Sequence, residues 1–252
     1  MVVEWLSYLV LAGFVAALVY GMWRKARSTK FNLVQLPLMV INHTICRMMW
    51  RLQIDGAFPK REKQGYLIVC NHRSPFDPWF IGCALDEMAH WMVASEYCEH
   101  PLFAFILKQL QVIPTRRTGV DTNALKQAIR YAQQGQLVGL LPEGRINISP
   151  QILLPGRPGV ALLALRARVP VVPCYVEGAP YDGTILNNLF KPARVRLKIG
   201  QPFDISTYYD RAGDRQVLEE VTKLLLSQIA QLGGQPNFVP QIAGKKWLDE
   251  KQ

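Results

Sequence analysis

Cysteine is scarce in this chain of 252 residues: Cys46, Cys70, Cys83, Cys98 and Cys174 are odd in number and form no Cys-x-x-Cys pair. A disulfide-stapled scaffold and a structural zinc site are therefore not expected, and a reducing compartment fits. His90, Cys98 and His100 have neither metal-ligand spacing nor a fourth partner, so no metal is expected. Carboxylates are also few, with 19 Asp+Glu against 29 Lys+Arg and a formal charge of +10. Such an excess suits an anionic partner: a membrane surface, a phosphorylated ligand or nucleic acid. Nucleic acid is disfavoured, because the cations are not interleaved with aromatics in an evident groove. The chain lacks a Gly-x-Ser-x-Gly elbow and a glycine-rich loop ending in Lys-Ser/Thr, which argues against a serine lipase or an NTPase. It also lacks repeats and low-complexity linkers. With 50% hydrophobic and 19% charged residues, disorder is excluded, and the length suits one large domain, or one domain plus an appendage.

The first long feature is apolar. Residues Trp5 to Trp23 read WLSYLVLAGFVAALVYGMW without a formal charge. As a helix this run would be about 28 Å long, close to the thickness of a bilayer's hydrocarbon core. Trp5 and Tyr8 at one end and Tyr20 and Trp23 at the other suit the two interfaces, and Arg24, Lys25, Arg27 and Lys30 follow. The positive-inside tendency then puts this flank and the rest of the chain on the cytoplasmic face. A cleaved signal peptide fits poorly, since Glu4 precedes the run and the cations come after it. A second apolar stretch, Leu33 to Leu52, is interrupted by Pro37 and carries Asn42, His43, Arg47 and Arg51. It reads as an interfacial helix, with His43 a polar residue of no special role. Residues 1–56 are thus expected to be a membrane-anchoring helical segment, and 57–252 a separate folded domain.

From Ala57 onward, short apolar runs alternate with amphipathic stretches. Strands are expected at Tyr66–Cys70, Trp91–Ala94, Gln111–Pro114, Leu137–Leu141, Val171–Val176 and Val195–Ile199. Helices are expected near Pro78–Leu85, Leu102–Leu110, Thr122–Gln134 and Gly159–Arg168, with a terminal one at Asp214–Leu232. Asp77-Pro78 looks like a helix start and Gly135 like a helix end. The alternation predicts an α/β fold: a mixed, mainly parallel sheet covered by helices.

Chemistry concentrates just after the first of these strands, in Asn71-His72-Arg73-Ser74-Pro75-Phe76-Asp77. A turn can fold the histidine and the carboxylate together as a general base and its orienter. Alternatively Asp77 caps its helix and His72 is a turn residue. Downstream, Arg116 and Arg117 follow a strand end, where guanidinium groups could clasp a phosphate. In Pro142-Glu143-Gly144-Arg145, Glu143 could accept a hydrogen bond from a ligand hydroxyl, Gly144 allow close approach, and Arg145 meet a phosphate. Cys70 lies near His72, but nothing in the pattern makes it a nucleophile.

Taken in order, His72-x4-Asp77, Ile-Pro-x-x-Arg at 113–117, Pro-Glu-Gly at 142–144 and Val-Pro-Val-Val-Pro at 169–173 resemble the four motifs of glycerolipid acyltransferases. The family is that of 1-acylglycerol-3-phosphate (lysophosphatidate) acyltransferase, and the resemblance runs from about residue 55 to 205. It implies transfer of a fatty acyl group from a thioester, carried by coenzyme A or acyl carrier protein, to the hydroxyl of a lysophospholipid at a membrane. It also implies His72 as base, Asp77 as its orienter, Arg117 on the acceptor phosphate, and Glu143 and Gly144 lining the acceptor site. No cofactor is implied. Two departures fall at the acceptor end. Arg116 stands where the family often has Asp, and Pro-Glu-Gly-Arg-Ile replaces Pro-Glu-Gly-Thr-Arg, bringing Arg145 one position early. A non-catalytic binder of anionic lipid and a thioester hydrolase are the alternatives from other classes.

Overall fold

In the computed structural model, residues 29–60, 64–101, 103–116, 121–184 and 186–244 are described. Three runs of apolar residues form the middle of the sheet: β2 (Leu67–Cys70), β5 (Leu137–Leu140) and β6 (Val171–Glu177). The first two are buried throughout and the third in all but its last residue. Continuous rather than alternating hydrophobicity is what strands covered on both faces require. Around them lie β1 (Gln53–Asp55), β3 (Ala89–Ala94), β4 (Ile113–Thr115) and β7 (Arg196–Ile199), in the order β1-β7-β6-β2-β5-β3-β4. All neighbours are parallel except β6 and β7. The sheet is mixed and mainly parallel, as expected.

One consequence of this topology matters for the site. Because β7 runs against β6, its N-terminal end lies at the same sheet edge as the C-terminal ends of β2, β5 and β6. Strand β1, parallel to β7, starts at that edge too.

The two faces are packed by different segments. On one, Leu67, Val69, Val138, Leu140 and Val171 meet α5 (Thr122–Gln133), α6 (Gly159–Ala167) and α8 (Arg215–Leu232). Helix α5 presents Ala124, Ala128 and Ala132 at four-residue spacing, so its backbone lies close to its neighbours. The other face packs Ile68, Cys70, Val172, Cys174 and Leu197 against α1 (Gln35–Met48) and α2 (Asp77–Gly82). Shorter helical pieces lie at α3 (Ser95–Glu99), α4 (Ala104–Gln109), α7 (Leu186–Leu189) and a 3-10 turn at Ser206–Arg211. Gly135, at φ 81°, ends α5 as its sequence suggested.

Sequence and structure part company before residue 57. Strand β1 is three exposed residues with no apolar periodicity, so nothing in its composition marks it, yet it pairs with β7. Trp50 is fully buried, its ring 4.9 Å from Phe76 and 5.2 Å from Phe80. The stretch assigned to the anchoring segment therefore supplies part of the core and an edge of the sheet. The helix expected over Leu33–Leu52 is the shorter α1, which turns Asn42 inward to donate to the Trp79 carbonyl at 2.9 Å. Its apolar Val40, Ile41 and Met48 point outward. Among the described residues no helix is long and apolar enough to cross a membrane. The Trp5–Trp23 segment lies outside them.

Trp50→Ala should remove a filled aromatic site and lower unfolding free energy by about 3–5 kcal/mol. Chemical denaturation of the full chain measures it; a loss below about 1 kcal/mol would mean that this segment is not part of the folding unit.

Candidate active site

Strand β2 ends at Cys70, but its pairing with β6 is carried one residue further by a side chain. Asn71 donates through Nδ2 to the Val176 carbonyl at 2.8 Å and accepts through Oδ1 from the Val176 N–H at 2.7 Å. His72 is thereby delivered to the sheet edge just as the backbone begins to turn. Its Nδ1 lies 2.9 Å from Asp77 Oδ2. The same oxygen accepts the Arg73 N–H at 2.7 Å and the Ser74 N–H at 3.0 Å. Asp77 does not cap its own helix, since no side-chain cap bond is made at the start of α2. Its carboxylate instead faces back into the preceding turn. Ser74 Oγ donates to the Pro180 carbonyl at 2.8 Å and fastens that turn to the exit of β6.

This arrangement orients the imidazole. A carboxylate acceptor at Nδ1 holds the proton there and leaves Nε2 as the lone-pair nitrogen. The Asp77 side chain is fully buried, while the His72 side chain is 16% exposed. The carboxylate is thus shielded from water, while part of the imidazole stays reachable. Cys70, entirely buried, has its thiol pushed well above its usual value by desolvation, which suits a packing role.

Glu143 is fully buried behind His72. Its Oε1 accepts the His72 backbone N–H at 2.7 Å and its Oε2 accepts the Leu154 N–H at 2.7 Å. Both oxygens are therefore turned to protein backbone, and the residue braces the histidine from behind. Desolvation raises its carboxyl from an ordinary 4.5 to about 7, against the pull of the two N–H donors. Asn147 completes the brace by donating its N–H to the His72 carbonyl at 2.7 Å. Arg73 clamps the same loop, donating to the carbonyls of Asn147, Ser149 and Gln151 at 3.0, 2.8 and 2.7 Å.

Gly144 follows with φ 68°, in the left-handed region. A Cβ at this position would stand 2.6 Å from Arg157 Nε and 2.8 Å from its Cδ. The close approach that glycine permits is thus made by the protein's own arginine. Arg157 is half-buried, and its pKa is held below the usual value, chiefly through desolvation and secondly through the charge of Arg145. Two guanidinium groups therefore share the end of β5, beside the loop that braces His72. Arg157 was not anticipated; the only sign of it in the sequence was its place in Pro-Gly-Arg-Pro-Gly, a turn without a motif.

The remaining expected residues lie elsewhere. Arg116 is exposed at the exit of β4, and its Nε stands 3.7 Å from Asp121, the residue that caps α5. Strand β4 is three strand spacings from β2, roughly 14 Å, so Arg116 is not brought beside the histidine. Arg117 lies outside the described residues. His90 stacks on Tyr131 at 4.1 Å with its Nδ1 2.8 Å from the Gln111 carbonyl. Arg73 and Asn147 of the bracing loop, with Tyr175 and Glu177, line a cavity of about 350 Å³.

A buried carboxylate holding a partly exposed imidazole at the carboxyl edge of a mainly parallel sheet, with arginines alongside, is an arrangement that suits base chemistry on an anionic substrate. The Acyltransferase family model matches residues 51–177, the stretch that contains His72, Asp77, Glu143, Gly144 and Arg157, and the chain belongs to that family. It is an acyltransferase of lipid metabolism. A 1-acyl-sn-glycerol-3-phosphate acyltransferase of Bacillus subtilis is 25% identical over 169 residues, covering 67% of this chain and 81% of its own. Tafazzin of Drosophila melanogaster is 27% identical over 216 residues, 78% of this chain and 55% of its own. The crystal structure of the 1-acyl-sn-glycerophosphate (LPA) acyltransferase PlsC from Thermotoga maritima shares the fold, with a TM-score of 0.56 and 19% identity over 84% of this chain and 90% of that one.

Two variants probe this framework. Gly144→Ala should cost about 1–2 kcal/mol through its positive φ, displace Arg157 and weaken anion binding; unchanged stability and binding would contradict the assignment. Since the folded Glu143 keeps its proton up to a higher pH than the unfolded one, its contribution is greatest below 4.5 and is lost as the pH rises through about 7. Stability of the wild type relative to Glu143→Gln should therefore fall by about 3 kcal/mol across that window. A flat difference in urea denaturation would show that the carboxyl is not raised.

Proposed function

We propose that this enzyme moves a fatty acyl group from an acyl thioester to the free hydroxyl of a lysophospholipid, with 1-acylglycerol-3-phosphate as the preferred acceptor and phosphatidate as product. The observation that carries this reading is the 2.9 Å contact between His72 and the buried Asp77, set beside the paired Arg145 and Arg157. An alcohol is a poor nucleophile until a base takes its proton, and His72 Nε2 is the group poised to take it. The acceptor oxygen then bonds to the thioester carbonyl carbon, and the carbon–sulfur bond breaks as the tetrahedral adduct collapses. A thiolate leaves readily because its conjugate thiol has a pKa near 8.5, and the imidazolium returns the proton to it. Asp77 stabilises the imidazolium during this interval and holds the ring in place. No covalent acyl-enzyme and no metal or redox cofactor enters this scheme.

Arg145 and Arg157 clasp the acceptor phosphate in this reading, since an anion between two neighbouring guanidinium groups relieves their mutual repulsion. Arg117 is given a phosphate-binding role only by its resemblance to the family's second-motif arginine. The name of the Bacillus subtilis relative supports this acceptor. Coenzyme A or acyl carrier protein delivers the acyl group. The enzyme works at a membrane, with its catalytic domain on the cytoplasmic face. The Trp5–Trp23 run followed by cations supports this, as do the outward-facing Val40, Ile41 and Met48 of α1.

The full chain in detergent, given acyl-CoA and a panel of lysophospholipids and followed by mass spectrometry, should acylate lysophosphatidate. His72→Ala should abolish turnover, and Asp77→Asn should reduce it about 10³-fold with the fold retained. Turnover that survives His72→Ala would remove the base. Free fatty acid without esterified product would identify a hydrolase, and anionic-lipid binding without product a non-catalytic lipid binder.

A further inference from the structure

Strand β7 alternates in an unusual way for this sheet. Val195, Leu197 and Ile199 point into the core shared with Trp50, while Arg194 and Arg196 are exposed on the opposite face, with Lys198 half-buried beside them. Elsewhere that face is covered by helices and is apolar. The parallel neighbour adds to the charge. Val195 donates to the Trp50 carbonyl at 3.0 Å and accepts from the Gln53 N–H at 2.9 Å, which brings Arg51 next to Arg194. Arg51, Arg194, Arg196 and Gln53 line a cavity of about 480 Å³.

The carboxylates around it are already engaged. Asp55 Oδ2 lies 2.6 Å from Arg196 Nε, and Glu177, which reaches the cavity wall, lies 3.4 Å from Lys198 Nζ. Among the described residues, Arg51 and Arg194 have no ion-pair partner. Arg51 also holds φ 42°, a left-handed conformation that an L-residue with a side chain adopts at a cost. Glycine would fit that turn better, so the arginine there is not explained by the turn.

The cavity lies at the catalytic edge, because β7 and β1 begin where β2 ends. Its wall shares Glu177 and Gly178 with the cavity lined by Arg73 and Asn147 next to His72, so the two cavities adjoin. In the strand order, β2 stands between two basic sites: Arg145 and Arg157 at the end of β5 on one side, and this cluster beyond β6 on the other. From β2 to β7 is about 10 Å. A direct transfer needs two substrates to meet at His72 from different directions, and each side of the histidine offers one anion site.

We infer that Arg51, Arg194 and Arg196 form a second anion subsite, which takes the phosphates of a nucleotide-type thioester carrier of the coenzyme A class. The inference rests on the thioester-donor reading above. Three guanidinium groups around one cavity match a compact polyanion set off from its reactive sulfur by a long arm. The spread carboxylates of a protein surface match it less well.

The test pairs Arg51→Gly with Arg194→Gln in the full chain and leaves the ion-paired Arg196 intact. The double variant should raise KM for acyl-CoA at least tenfold, with kcat and the acceptor KM unchanged. Its KM for acyl-pantetheine, which has no phosphate, should not move, and calorimetric affinity for free coenzyme A should fall by the same factor as the acyl-CoA KM rises. An unchanged acyl-CoA KM overturns the inference, as does an equal effect on acyl-pantetheine or a shift in the acceptor KM instead. Loss of binding to phosphatidylglycerol vesicles with coenzyme A affinity intact would give the cluster to the membrane and also overturns it. If no donor supports turnover, the proposed reaction fails, while the coenzyme A titration still decides the subsite.

Discussion

One carboxylate oxygen, Asp77 Oδ2, accepts hydrogen bonds from the His72 ring and from the Arg73 and Ser74 backbone. Buried charge is costly unless it is met by donors, and here the three donors are supplied by the turn the carboxylate closes. The same bonds that make the ion tolerable therefore fold the turn and fix the imidazole. Burial and orientation cannot be separated: a turn that did not close would leave Asp77 uncompensated, and an unburied Asp77 would hold the ring weakly.

The surrounding structure can be understood as support for that turn. Asn71 extends the β2–β6 pairing with side-chain atoms, so the histidine leaves the sheet from a fixed point. Glu143 and Asn147 hold its N–H and its carbonyl. Arg73 ties down the loop to which Asn147 belongs. These contacts come from strands far apart in sequence, and parallel strand ends are what bring them to one edge. Such an edge is where ligands bind in open α/β sheets. The same geometry sets Arg145 and Arg157 on one flank of His72 and the β7 arginines on the other.

Several roles differ from those that the motifs alone suggested. Glu143 was expected to face a ligand hydroxyl and instead has both oxygens on backbone N–H groups. Gly144 does allow close approach, but of Arg157. Arg116 follows a strand end as expected, yet that strand is the outermost on its side and the arginine is engaged at a helix cap. In each case the residue type and its local element were legible. What was not legible was the partner, which lies across a turn or several strands away.

The sequence by itself determined the layered α/β class, because apolar runs of strand length alternating with amphipathic segments can be buried only between helices. It also determined the elements on which His72, Asp77, Glu143 and Gly144 sit, because spacing and punctuation are local properties. Tertiary structure decided that Asp77 serves the histidine rather than its own helix, since both uses require the same residue at the same place. It decided that Gln53–Asp55 is a strand, since three exposed residues acquire that conformation only from β7. It also gathered Arg51 with Arg194 and Arg196, and Arg145 with Arg157. Neither gathering could be seen in one dimension, because strand order and direction arise only when distant segments pair.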